Sequence, residues 1–180
     1  MADVVPLTEA HGDALVRFTA ELPEGDRTSI REDVADAAVV RGWAAGSPGV
    51  HRWAAVDGGR VLGYVAVLRL PGWSDHVGEV RLVVAPAGRG AGLGRQLARH
   101  AMVQALEAGL TKLVVEVVPD QAAALALFTG LGFTGEALLV DHIRDRDGRL
   151  RDLMVLAHHV GDTWAGMRAV GLADTLGTPS

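Results

Sequence analysis

Between Arg81 and His100 the chain reads RLVVAPAGRGAGLGRQLARH: an apolar run of strand character, a proline, glycines at 88, 90, 92 and 94, then a run of helical character. A strand that turns directly into a helix leaves the first helical N–H groups without intrahelical acceptors and places the positive end of the helix dipole at the turn. That is an anion site. A phosphate accepting several backbone N–H bonds must lie against the main chain, and side chains at those positions would hold it away, so glycine suits the turn. Arg95 and Arg99 are four apart on the following helix and share a face. Arg95 is near enough to the helix start to meet a phosphate, whereas Arg99 reads as a solvated helix position.

Spacing separates the phosphate loops that could occur here. A Walker loop needs G-x-x-x-x-G-K-[ST], and no lysine follows these glycines. A dinucleotide fingerprint needs G-x-G-x-x-G; counted from Gly88 its last position is Leu93, and counted from Gly90 it is Arg95, so both fail. The run that does fit a pattern is Arg89-Gly90-Ala91-Gly92-Leu93-Gly94, preceded by Val84-Ala85-Pro86.

This stretch, VVAPAGRGAGLG, resembles the acetyl-coenzyme A loop of the GNAT acetyltransferase superfamily, [RQ]-x-x-G-x-[GA] after a V-x-P strand end. The resemblance implies an acetyl-CoA-dependent N-acetyltransferase in which Arg89, Gly90, Ala91, Gly92, Leu93, Gly94 and Arg95 hold the cofactor's pyrophosphate. It also implies that Leu82, Val83 and Val84 bond the pantetheine arm as an added strand, with one N–H polarising the thioester carbonyl.

Acyl transfer to an amine needs the amine to lose a proton first, because a lysine-like amine with pKa about 10.4 is less than roughly 0.1% neutral at pH 7. By resemblance Glu79, at the start of the strand leading to the turn, is the base, acting directly or through water. Strand alternation also puts Glu79 and Arg81 on one face, so a plain ion pair is the competing reading.

A second family signature, N-x-x-A-x-x-x-Y-x-x-x-G-F, is met in QAAALALFTGLGF by Gln121, Ala124, Phe128, Gly132 and Phe133. Glutamine replaces asparagine and phenylalanine replaces tyrosine. Gln121 still offers an amide to the pantetheine; Phe128 has no proton to give and is left as an apolar wall near the sulfur. The proton donor is then water, the acceptor's own ammonium, or a side chain such as His76. Phe18, the charged segment Glu24 to Asp33, and Trp73 to His76 fall where the family builds its acceptor pocket. The acceptor is a small-molecule primary amine or a protein lysine. The loss of the tyrosine also motivates an alternative, a non-catalytic acyl-CoA-binding sensor.

Composition bounds these readings. The 180 residues are 49% hydrophobic with a net charge of -5, enough for one packed core and unlike the basic face of a nucleic-acid binder. There are no cysteines, and the seven histidines lack H-E-x-x-H spacing, so no metal site is expected. The start MADVVPLTEAHGD has neither a basic leader nor a long apolar core, which leads us to expect a cytoplasmic protein with no membrane partner.

The elements that must position the site follow from periodicity. Strands are expected at Val4 to Leu7, Val50 to Val56, Arg60 to Leu70, Glu79 to Val84, Lys112 to Val118, Gly135 to Ile143 and Leu150 to His158. Helices are expected at Glu9 to Leu22, Arg31 to Ala45, Leu93 to Ala108 and across QAAALALF. The sum is an α/β chain: a single-domain mixed, mostly antiparallel sheet of about seven strands flanked by about four helices, the GNAT-like fold. Residues 1–160 form the domain and 161–180 a tail in which Trp164 and Met167 could pack back. A homodimer through the last strands is common in the family and is the expected assembly.

Overall fold

The computed structural model describes residues 2–28 and 30–161. Seven strands form one sheet: β1 (Asp3–Pro6), β2 (Val50–Asp57), β3 (Arg60–Arg69), β4 (Val77–Val84), β5 (Lys112–Val117), β6 (Thr134–Arg144) and β7 (Leu150–His159). Their order is β1-β2-β3-β4-β5-β7-β6, and only the central β4–β5 contact is parallel. The expected mixed, mostly antiparallel architecture is the observed one. Asp57-Gly58-Gly59-Arg60 closes β2 onto β3 in a two-residue turn, as the DGG signal requires.

Helices α1 (Gly12–Ala20), α2 (Glu24–Thr28) and α3 (Ala37–Ala44) precede the β2–β3 hairpin; α4 (Leu93–Glu107) and α5 (Ala122–Thr129) flank β5. Alternation along β4 divides two cores between the sheet's faces. Val80, Leu82 and Val84 belong to the core under α4 and α5, which includes the fully buried Leu97 and Leu113. Val83 belongs to the core under α1 and α3, built on Leu15, Phe18, Leu22, Val40 and Trp43. A cavity left by Leu97→Ala would cost about 2–5 kcal/mol.

Two helix bounds differ from expectation. Arg31 to Asp36 is not helical, because the carboxylates of Asp33 and Asp36 accept the amides of Ala35 (3.0 Å) and Ala38 (2.8 Å). Such local bonds compete with the helix, so α3 begins only after Asp36 as its N-cap. At the N-terminal side, Glu9–His11 is a 3₁₀ turn and the α-helix proper starts at Gly12. Trp164 and Met167 lie outside the described residues.

The sheet carries a fork at its centre. β4 and β5 pair only through Val77 with Lys112, Gly78 with Leu113 and Glu79 with Val114. Beyond Glu79, β4 keeps its antiparallel partner β3 as far as Val84, while its other edge has no strand partner among the described residues. Gly78 permits this crowded apex: a Cβ there would come 2.6 Å from Leu110 and 3.0 Å from Leu113.

Candidate active site

The fork opens into a cleft of about 690 Å³, floored by β4, walled by β5 and α5, and closed at one end by the glycine turn. Pro86–Gly88 forms a 3₁₀ turn, and the chain then swings through Gly90 (φ +80°) and Gly92 (φ +79°) into α4. Both glycines have left-handed backbones that other residues rarely adopt, and a Cβ on either would meet nothing within 4 Å. Gly88 has another task. It is buried, and a Cβ there would lie 2.9 Å from Leu93 and 3.1 Å from the carbonyl of Leu62.

Among the described residues no acceptor takes the amides of Gly90, Ala91, Gly92, Leu93, Gly94 or Arg95; the first amide of this run with a partner is that of Gln96, bonded to the Gly92 carbonyl at 3.1 Å. Free N–H groups, the positive helix end and backbone open to approach coincide here, which is what a diphosphate needs. Arg95 lines the same end and makes no ion pair among the described residues. The Arg89 side chain bonds the carbonyl of Val84 (3.1 Å) and the carboxylate of Asp26. Ala91 is exposed at the apex of the turn and does not line the cleft.

Glu79 sits at the vertex of the fork, with its side chain 12% exposed. Its Oε1 accepts Arg81 Nε at 2.7 Å, and Arg81 also reaches Glu32. Burial opposes the charge on Arg81, but the hydrogen bond and charge of Glu79, then the charge of Glu32, more than offset it and hold the guanidinium above its usual pKa. Phe128 is buried and packs edge-on against Phe133, ring centres 5.2 Å apart, forming an apolar wall. Gln121 stands at the start of α5 and accepts the amide of Val118 at 3.3 Å. Phe18, Leu82, Val83, Val84 and Leu93 complete the expected residues found in the lining.

Trp73 and His76 are not brought to the cleft. Trp73 is 96% exposed on the 3₁₀ turn Gly72–Ser74, at the end of β4 away from the fork. His76 is exposed, and its carbonyl accepts the amides of Thr111 (2.9 Å) and Lys112 (3.3 Å), bracing the start of β5. Both residues precede the paired start of β4, and an extended strand runs roughly 3.3 Å per residue, which carries the open end of the cleft away from them.

Trp43 and Tyr64 escaped the sequence, whereas Asp26, Ile30, Arg31 and Glu32 of the lining fall in the charged segment Glu24 to Asp33 expected at the acceptor pocket. Trp43 and Tyr64 stack with ring centres 4.9 Å apart beside Phe18, and burial pushes the Tyr64 phenol up to about 12 despite the opposing charge of Arg52. The alternation in RVLGYVAVL could have found Tyr64, which lies opposite Val83. Arg31 and Glu32, neighbours in sequence, reach opposite arms of the fork: Arg31 bonds Glu116 of β5 at 2.5 Å, and Glu32 bonds Arg81 of β4. Among the described residues no group of three or more His, Asp or Glu converges as a metal site requires.

The sequence profile of the acetyltransferase (GNAT) family matches residues 16–133. The chain belongs to this family. Its relatives include an N-acetyltransferase 8F1 of Rattus norvegicus, 34% identical over 132 residues, covering 69% of this chain and 58% of the relative. A mycothiol acetyltransferase of Amycolatopsis mediterranei is 46% identical over 61 residues, 33% of this chain and 20% of that one. The GNAT chain thus spans 58% of the first of these relatives and 20% of the second. Among solved structures, a putative acetyltransferase from Salmonella typhimurium, determined with its cofactor acetyl-CoA, superposes with a TM-score of 0.76 at 21% identity, covering 89% of this chain and 94% of the other. No helix among the described residues is long and apolar enough to cross a membrane.

Proposed function

We propose that this protein is an acetyl-CoA-dependent N-acetyltransferase that acetylates a primary amine by direct attack within a ternary complex. The observation that carries the reading is the run of unbonded amides from Gly90 to Arg95 at one end of a cleft whose vertex holds Glu79. The cleft fits acetyl-CoA. Gly90, Gly92 and Gly94 leave the backbone accessible to a diphosphate, Arg95 adds a charge-assisted donor, and the open edge of β4 from Val80 to Val84 offers strand-like bonding to an amide-bearing arm. When bound, the cofactor supplies an acetyl group activated on sulfur.

The chain's own residues then have three tasks. β4 orients the acceptor and donor ends along one edge, so that attack becomes effectively unimolecular. Glu79 takes a proton from the acceptor nitrogen, directly or through one water, with Arg81 fixing the carboxylate's orientation. Phe128 excludes water beside the leaving sulfur but donates nothing. A thiol of pKa about 8.5 leaves as a tolerably stable anion, so no side-chain acid is required.

Two measurements test this. Calorimetry should detect acetyl-CoA binding, and thiol release should follow addition of a suitable amine. Binding without release for every amine in a broad panel would favour the sensor reading instead.

A further inference from the structure

The side of the cleft facing α1 and α3 differs in character from the cofactor side. Glu79, Arg81 and Val83 alternate onto this face of β4, opposite Leu68, Ala66 and Tyr64 of β3. Phe18, Trp43 and Tyr64, all buried at their backs, and Ile30 supply apolar and aromatic walls. Charged groups stand among them.

Those charges are unevenly satisfied. Arg81 is shared by Glu79 and Glu32, and Arg31 is engaged by Glu116. Arg52 lies behind Tyr64, outside the lining, and donates to the phenol oxygen at 3.1 Å. Two of these charged groups keep an unused buried atom: Arg52 Nη1, outside the lining, and, within the lining, Glu32, whose Oε1 takes Arg81 while no donor among the described residues reaches Oε2. A desolvated carboxylate oxygen without a donor is unfavourable, and a cationic N–H group is the complement that relieves it.

The neighbours narrow what such a cation carries. Trp43 and Tyr64 stack on each other, so the surface they leave to the cleft is a small apolar one that accepts an apolar body. A carboxylate on the same molecule would find Arg31 and Arg81 already neutralised and would stand against Glu32, Glu79 and Glu116.

We propose that Glu32 determines acceptor specificity, and that the acceptor is a primary ammonium on an apolar, carboxylate-free body enclosed by Phe18, Trp43 and Tyr64. The proposal rests on the acetyl-transfer reading above. Glu32 binds the ammonium form and carries no proton away; that remains the task of Glu79.

The test is steady-state kinetics of the full chain with 2-phenylethylamine and with phenylalanine, which has the same body plus a carboxylate. We expect kcat/KM for phenylalanine to be lower by about tenfold or more, and Glu32→Gln to raise KM for 2-phenylethylamine about tenfold with kcat within about twofold. Acetyl-CoA affinity by calorimetry should not change. An unchanged KM in Glu32→Gln, or a preference for phenylalanine, overturns the proposal and leaves the transfer reading standing. If neither amine is acetylated while another primary amine is, the proposal is overturned; if acetyl-CoA binds but no amine of the broad panel is acetylated, the transfer reading fails. Titration of 2-phenylethylamine into the CoA-bound protein then decides for Glu32, by binding that Glu32→Gln weakens or leaves alone. Should Glu32→Gln lower the melting temperature, Glu32→Asp, which keeps the charge on a shorter arm, must show a smaller rise in KM than Glu32→Gln; an equal rise overturns the assignment.

Discussion

Glu79 and Arg81 stand two residues apart on one face of β4, and the carboxylate accepts the guanidinium at 2.7 Å where β4 and β5 stop pairing. Under the proposed mechanism the ion pair and the base are one carboxylate. Its second oxygen is left for the acceptor, and Arg81 fixes which way that oxygen points.

Glu79→Gln keeps the shape and the contact with Arg81 but removes the base. We expect kcat to fall by roughly 10²–10⁴-fold, the range for losing general-base catalysis. Calorimetric affinity for acetyl-CoA should be unaltered. A kcat within a few-fold of wild type would remove Glu79 from the chemistry.

The glycines of the turn should separate by readout. Gly92→Ala places a side chain on a left-handed backbone, at about 1–2 kcal/mol, with open space around it, so cofactor affinity should suffer most. Gly88→Ala forces its Cβ against Leu93 and the Leu62 carbonyl and should lower stability by about 1–3 kcal/mol. Thermal melts and calorimetry on both variants check the division; equal loss of affinity would refute it.

Arg95→Gln removes the cation at the cradle that no carboxylate occupies. A charge-assisted bond contributes about 1.5–3 kcal/mol, so acetyl-CoA affinity should drop roughly tenfold or more. The affinity should also become less sensitive to salt, because one screened attraction is gone. Titrations at two ionic strengths would show both.

His100 should make stability depend on pH. Its ring packs edge-on against Trp53, centres 5.0 Å apart, and burial lowers its pKa below 6.5 despite the charge of Glu107. A histidine harder to protonate when folded binds fewer protons in the native state, so stability is full above about 6.5 and falls as pH drops below it. Denaturant melts across that window should show the decline, and His100→Gln should flatten it.

The sequence was most legible where chemistry is written in local spacing. The turn from Arg89 to Gly94 and the strand before it could be read because the glycines and the strand-to-helix switch themselves make the turn and its unbonded amides. The acceptor side was harder. Tyr64 and Trp43 enter from β3 and α3, which only cross-strand register and helix packing bring together. The segment holding Arg31 and Glu32 read as the start of a helix, because the Asp33 and Asp36 side chains that end helicity there do so by bonding the backbone, which periodicity does not report.

Arg31 and Glu32 give the fork a clasp one dipeptide long. Three residue pairs hinge the arms, and two residues past the last of them the opening is spanned by two ion pairs hung from adjacent residues, Arg31 to Glu116 and Glu32 to Arg81. Salt loosens such a fastening while leaving the hinge intact. We therefore expect the width of the opening to grow with ionic strength, and Arg31→Gln to mimic high salt at low salt.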